Sequence, residues 1–68
     1  MKLDDQYLRD LATWGGPVRI RCREGYLVED AVVKAVGSYA IVIALPDGEH
    51  EEMIYKHAIE AIARMPEV

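Results

Sequence analysis

Val18-Arg19-Ile20-Arg21-Cys22-Arg23 alternates apolar and cationic residues over six positions without a break. Successive side chains of a β-strand point to opposite faces, so the alternation predicts a half-buried strand with Val18, Ile20 and Cys22 inward. The neighbouring segments extend this reading. Glu24-Gly25 predicts a short turn in which Gly25 takes positive φ. The long, Val-rich segment from Tyr26 to Val36 predicts a second strand. Its apolar phase breaks at Glu29-Asp30-Ala31, which predicts a bulge or strong bend there. Gly37-Ser38 predicts another tight turn. Tyr39-Ala40-Ile41-Val42-Ile43-Ala44-Leu45 is a continuous apolar run, predicting a central strand covered on both faces. Pro46-Asp47-Gly48-Glu49 has the composition of a turn. Glu51 to Ile54 predicts a fourth strand, Tyr55-Lys56-His57 a brief connector, and Ala58 to Ala63 a fifth strand with Ile59 and Ile62 as its main apolar contacts. Arg64 to Val68 reads as a short tail.

Upstream of the strands the period changes. Leu3, Tyr7, Leu8, Leu11 and Trp14 fall on one face of an amphipathic helix spanning about 4–14. Asp4 is placed to cap it, and Asp5 suits the positive end of the helix dipole. Gly15-Gly16-Pro17 stops it, because proline biases Gly16 away from helical geometry. The predicted fold is therefore mainly β with an N-terminal helix. It reads as one domain over 1–68, a strongly bent five-stranded open barrel of the Sm or OB kind.

The chain has 68 residues, one cysteine and 51% hydrophobic residues. A domain of this size buries only about 60% of its unfolded surface, and such chains usually rely on disulfides, a metal or partners. A single cysteine excludes an internal disulfide, and the absence of a secretory leader makes a reducing, cytoplasmic setting the expectation. No apolar stretch approaches the roughly 20 residues of a membrane span. An open barrel also leaves edge strands. Pairing edges between copies removes that liability, and closed head-to-tail pairing makes a cyclic homo-oligomer. The net charge of −4 argues against a general phosphate-backbone binder, which needs a basic face. Any nucleic-acid contact must then gather its cations at one spot.

One segment has that character. Met53-Ile54-Tyr55-Lys56-His57-Ala58-Ile59-Glu60 sets an aromatic, a cation and an imidazole side by side after a strand. With the helix, the five strands, Leu3-x-Asp5-x-Tyr7-Leu8, Pro17-Val18-x-Ile20 and Gly25, it resembles the bacterial Sm-like RNA chaperones called Hfq over Leu3 to about Ile62. The resemblance implies a ring, usually of six subunits with five or seven as alternatives. Such a ring binds single-stranded, U-rich RNA around its pore and serves riboregulation by small RNA and mRNA. Carried over by position, Tyr39 would stack on a uracil, Lys56 would hydrogen-bond the base, and His57 would contact ribose or phosphate. Ser38 and Asp4 stand where the family has glutamine. The family's second, A-rich face is not carried over: its places correspond to Arg21, Leu27 and Glu29, with Tyr26 as a substitute aromatic. The family's rim arginines are replaced by Ala12-Thr13-Trp14-Gly15, and its strand-bending glycine by Asp30 with about one residue inserted nearby.

Each candidate also has a plainer reading. Tyr55-Lys56-His57 is otherwise a solvated connector, and Tyr39 a core aromatic. Arg19, Arg21 and Arg23 make either a phosphate track or, the favoured reading, ion pairs with Glu24, Glu29 and Asp30. Glu49, Glu51 and Glu52 read as a solvated acidic loop, since calcium wants more oxygen ligands on a tighter loop. Cys22 and His50 do not make a zinc site, which needs about four ligands at recognisable spacing. No nucleophile–base pair or phosphate-binding glycine loop is visible, so neither catalysis nor a cofactor is expected. The alternative to an RNA-binding ring is an Sm-fold oligomeric scaffold for protein assembly with weak or lost RNA binding.

Overall fold

The computed structural model describes residues 5–66. The parts of the helix reading that rest on Leu3 and Asp4, and the place of Asp4 in the candidate site, lie outside the described residues. One helix, α1 (Asp5–Trp14), precedes five strands: β1 (Val18–Cys22), β2 (Leu27–Val36), β3 (Ala40–Ala44), β4 (Glu51–Tyr55) and β5 (Ile59–Arg64). A tight turn, Arg23–Gly25, joins β1 to β2, and a single 3-10 turn, Lys56–Ala58, joins β4 to β5. The strands form an antiparallel sheet in the order β4-β3-β2-β1-β5. The sheet does not close, and β4 and β5 are its edges.

Strand β1 shows the expected alternation: Val18, Ile20 and Cys22 are buried and Arg19 and Arg21 exposed. The turn after it holds two left-handed residues, where the sequence predicts one. Glu24 (φ 68°) and Gly25 (φ 83°) both adopt left-handed geometry, and the Cys22 amide donates to the Tyr26 carbonyl across them at 2.7 Å. Glycine bears this conformation freely, whereas a side-chain residue pays a steric penalty for it.

Strand β2 bends because it carries extra residues on both sides. Against β1, Val18 pairs with Ala31 and Ile20 with Val28, leaving one surplus residue on β2 around Glu29-Asp30. Against β3, Val33 pairs with Ile43 and Ala35 with Val42, leaving Lys34 surplus. Each surplus residue kinks the strand and raises its twist. The first half of β2 thus serves β1 and the second half β3. Asp30 sits in the first kink at φ 59°, a conformation that aspartate tolerates better than most residues. The phase break at Glu29-Asp30-Ala31 is therefore a real bulge.

The bent sheet and the helix enclose one apolar cluster. Leu8 and Leu11 from α1 meet Val18, Ile20, Val33, Ile41 and Ile43, all at most 1% exposed, with Ile54 and Ile59 closing the edges. Burying a Leu or Ile side chain contributes roughly 1.5–3 kcal/mol, so these side chains dominate the stability of so short a chain. Across the curled sheet, the hydroxyl of Tyr26, just before central strand β2, donates to Glu52 Oε1 on edge strand β4 at 3.0 Å.

Several sequence expectations change, among them the connector, which runs over Lys56–Ala58 with Tyr55 in β4. Strand β3 is not covered on both faces: Ile41 and Ile43 are buried, while Ala40, Val42 and Ala44 are half-buried on the other side. It lies second from the edge, with β2 in the centre. Arg64 belongs to β5 rather than to the tail, where pairing with Val18 completes the ladder. Its guanidinium lies 4.8 Å from the centre of the Trp14 ring. Finally, Arg21 pairs with Glu60 on β5 (Nε to Oε1, 3.1 Å) rather than with acids of β2, because Glu60 is the surplus residue of a bulge between Arg21↔Ala61 and Cys22↔Ile59.

Candidate functional site

Two connections meet at one end of the β3–β4 pair. The first is Gly37-Ser38-Tyr39, which turns β2 into β3 and is held by the Gly37 amide donating to the Ala40 carbonyl at 2.8 Å. The second is Lys56–Ala58, between β4 and β5. The ladder runs Ile41↔Ile54 and Ala40↔Tyr55, and the Lys56 amide then donates to the Tyr39 carbonyl at 2.8 Å. That bond fixes the connector against the turn. Beyond it, the Ile59 amide donates back to the Lys56 carbonyl, and buried Ile59 anchors the start of β5.

The side chains differ in availability. Tyr39 is 81% exposed, the most open of the large hydrophobic residues described, so it is not a core aromatic. Tyr55, the last residue of β4, is 54% exposed, and its ring stacks on His57 with centroids 5.6 Å apart and planes 16° from parallel. The two rings that flank Lys56 thus form a small aromatic platform. Such faces stack on any base, each worth roughly 1–3 kcal/mol.

Lys56 is the opposite case. Its side chain is only 13% exposed. The ammonium donates to Asp5 Oδ1 at 2.8 Å and to the Ser38 carbonyl at 3.2 Å. Ser38 contributes its backbone to this arrangement and is itself exposed. Asp5 is the group that sequence reasoning missed here: it was assigned to the helix dipole, yet its carboxylate meets a lysine 51 positions later. The Asp-Asp pair at the start of α1 was the available signal, but only the folded chain shows which acid reaches Lys56.

The other charged regions are distinct from this end. On the outer face of β1, Arg19 and Arg21 flank a shallow groove completed by Leu27, Ala61, Ile62 and Ala63. Arg21, Tyr26 and Glu29 are all exposed, with Arg21 and Tyr26 engaged by Glu60 and Glu52. The loop after β3 is organised by Asp47, whose Oδ1 accepts the amides of Glu49 (2.9 Å) and His50 (3.0 Å) and whose Oδ2 meets His50 Nδ1. Those bonds, the Glu49 amide foremost, hold the Asp47 carboxyl down to about 2. Burial pushes the Cys22 thiol up, with the charge of Glu52 adding to it. Among the described residues, no group of three His, Cys, Asp or Glu is arranged to hold a metal ion, and no helix is long and apolar enough to cross a membrane.

No protein-family model matches the chain, and no curated protein matches it.

Proposed function

We propose that this chain is an Sm-like subunit of a cyclic homo-oligomer that binds single-stranded, U-rich RNA at its pore face, acting by binding rather than catalysis. An N-terminal helix on a bent, open five-stranded antiparallel sheet is compatible with that fold, and the free edges β4 and β5 are suited to pairing between copies. Six subunits is the number that the resemblance implies, and the single cysteine favours a reducing, cytoplasmic setting.

The observation that carries the reading is the exposed ring of Tyr39, on a turn whose backbone binds the connector that bears the Tyr55–His57 stack. An 81% exposed tyrosine leaves apolar ring surface in water, and stacking a base removes it from water. Repetition around a ring would multiply these contacts along one strand. The test is binding of labelled U6 RNA to wild type and Tyr39→Ala. Because the ring contributes little to the core, the variant should keep its thermal stability. It should lose roughly 5-fold to 150-fold in affinity, the equivalent of one stack. Unchanged U6 affinity would remove the reading's main support.

A second reading, an Sm-fold scaffold for protein assembly with weak or lost RNA binding, draws on the pairing of Lys56 with Asp5. That pair removes the cation on which a phosphate would depend. Nucleic acid that co-purifies with the protein, read from the ratio of absorbance at 260 and 280 nm, separates the two.

A further inference from the structure

We infer that Asp5 is an affinity-setting residue of the proposed RNA site: it holds Lys56 in an internal ion pair, so that the site takes bases by stacking and draws little on phosphate charge. This rests on the RNA-binding reading above and adds the element that tunes it. Three observations carry it. The Lys56 ammonium lies 2.8 Å from Asp5 Oδ1, a charge-assisted hydrogen bond. Its side chain is 13% exposed whereas that of Asp5 is 47% exposed, so the carboxylate is the member of the pair that faces an incoming ligand. A further donor direction is taken by the Ser38 carbonyl, which keeps the ammonium directed into the turn.

The consequence is electrostatic. A phosphate approaching this end meets an exposed carboxylate before a shielded ammonium, and the pair presents almost no net charge at a distance. The exposed rings of Tyr39 and Tyr55 carry no such opposition. Binding should accordingly depend weakly on salt, because each phosphate neutralised by a cation contributes a slope of about −0.7 in log K against log salt for single strands. Neutralising Asp5 releases Lys56 to act as such a cation.

The test compares wild type, Asp5→Asn, Lys56→Met and the double variant Asp5→Asn/Lys56→Met, by fluorescence anisotropy of labelled U6 RNA over a series of salt concentrations. Asp5→Ser, which keeps a helix-capping side chain, serves as a second neutral replacement should Asp5→Asn fold poorly. Circular dichroism and sedimentation confirm that each variant keeps its fold and assembly. The inference expects Asp5→Asn to tighten U6 binding roughly fivefold at low salt, the upper range for one partly exposed pair. The salt slope should steepen by about 0.7 for each Lys56 that engages a phosphate. Both gains should vanish in the double variant. If wild type binds U6 but neutralising Asp5 leaves affinity and slope unchanged, or weakens binding, the role of Asp5 is overturned while the RNA reading stands. If neither wild type nor any variant binds U6, both fall together.

Discussion

Replacing Leu8 with alanine tests whether α1 is docked as described. The helix has two fully buried side chains, Leu8 and Leu11, and both belong to the same cluster as the sheet residues. Removing three carbons from Leu8 forfeits about 2.4 kcal/mol of transfer free energy at roughly 0.8 kcal/mol per methylene. A residual cavity adds to this, and measured Leu→Ala losses run to about 2–5 kcal/mol. A surface helix resting on a sheet can settle partly into the gap, which favours the lower half of that range, about 3 kcal/mol. A chain of this length has a total stability of roughly 3–10 kcal/mol, so the loss is a large fraction of the whole. Urea unfolding followed by far-UV circular dichroism, at fixed protomer concentration because assembly would add stability, should show the midpoint falling by about 2–3 M at an m-value near 1 kcal/mol/M. The helix also carries Asp5, so loosening it should free Lys56 as well. A loss below about 1 kcal/mol would refute the reasoning, since it would mean that α1 does not seal the core.

Gly16→Ala should destabilise for a different reason: an added Cβ would sit 2.4 Å from the Trp14 ring atoms. The ring must move off Arg64, and overpacking of this kind costs about 1–3 kcal/mol. The expected readout is a lower melting temperature with a red-shifted emission from the single tryptophan. Acid should weaken the loop that Asp47 organises. Its folded value lies below its ordinary one, so the unfolded chain binds the proton first as pH falls. The contribution is complete above about pH 4 and disappears as pH drops through about 2. Stability of wild type and Asp47→Asn should therefore differ at pH 6 and converge near pH 2, and a constant difference across that range would contradict the assignment.

The parts of the fold that local patterning dictates were readable from the chain. The alternation of Val18 to Cys22, the helical spacing of Leu8 and Leu11, and the turn chemistry around Gly25 and Asp47 all require nothing beyond neighbouring residues. The phase break at Glu29-Asp30-Ala31 exposed the first bulge of β2 as well. The second, at Lys34, left no trace, because Val32, Val33, Ala35 and Val36 read as apolar in either phase. The run from Ala40 to Ala44 misled for a related reason: apolar residues on the outward side of a strand can be half-covered by neighbours such as Val32 and Met53 without a second layer above them. At the candidate site, the exposure of Tyr39 was not readable from the apolar run that it opens, which suits a core aromatic equally well. Nor was the pairing of Lys56 with Asp5 and of Arg21 with Glu60, because which acid meets which cation depends on how distant segments come together. Asp4, the acid that the resemblance placed in the site, lies outside the described residues.

The central claim is most directly tested by fluorescence anisotropy of labelled U6 and A6 RNA with wild type and the Tyr39→Ala/His57→Ala double variant, at two salt concentrations and with the oligomeric state verified by sedimentation. The account predicts that an intact oligomer binds U6 in preference to A6 and that the double variant loses this binding. An intact oligomer that fails to bind U6 even at low salt would contradict it and give the lead to the scaffold reading.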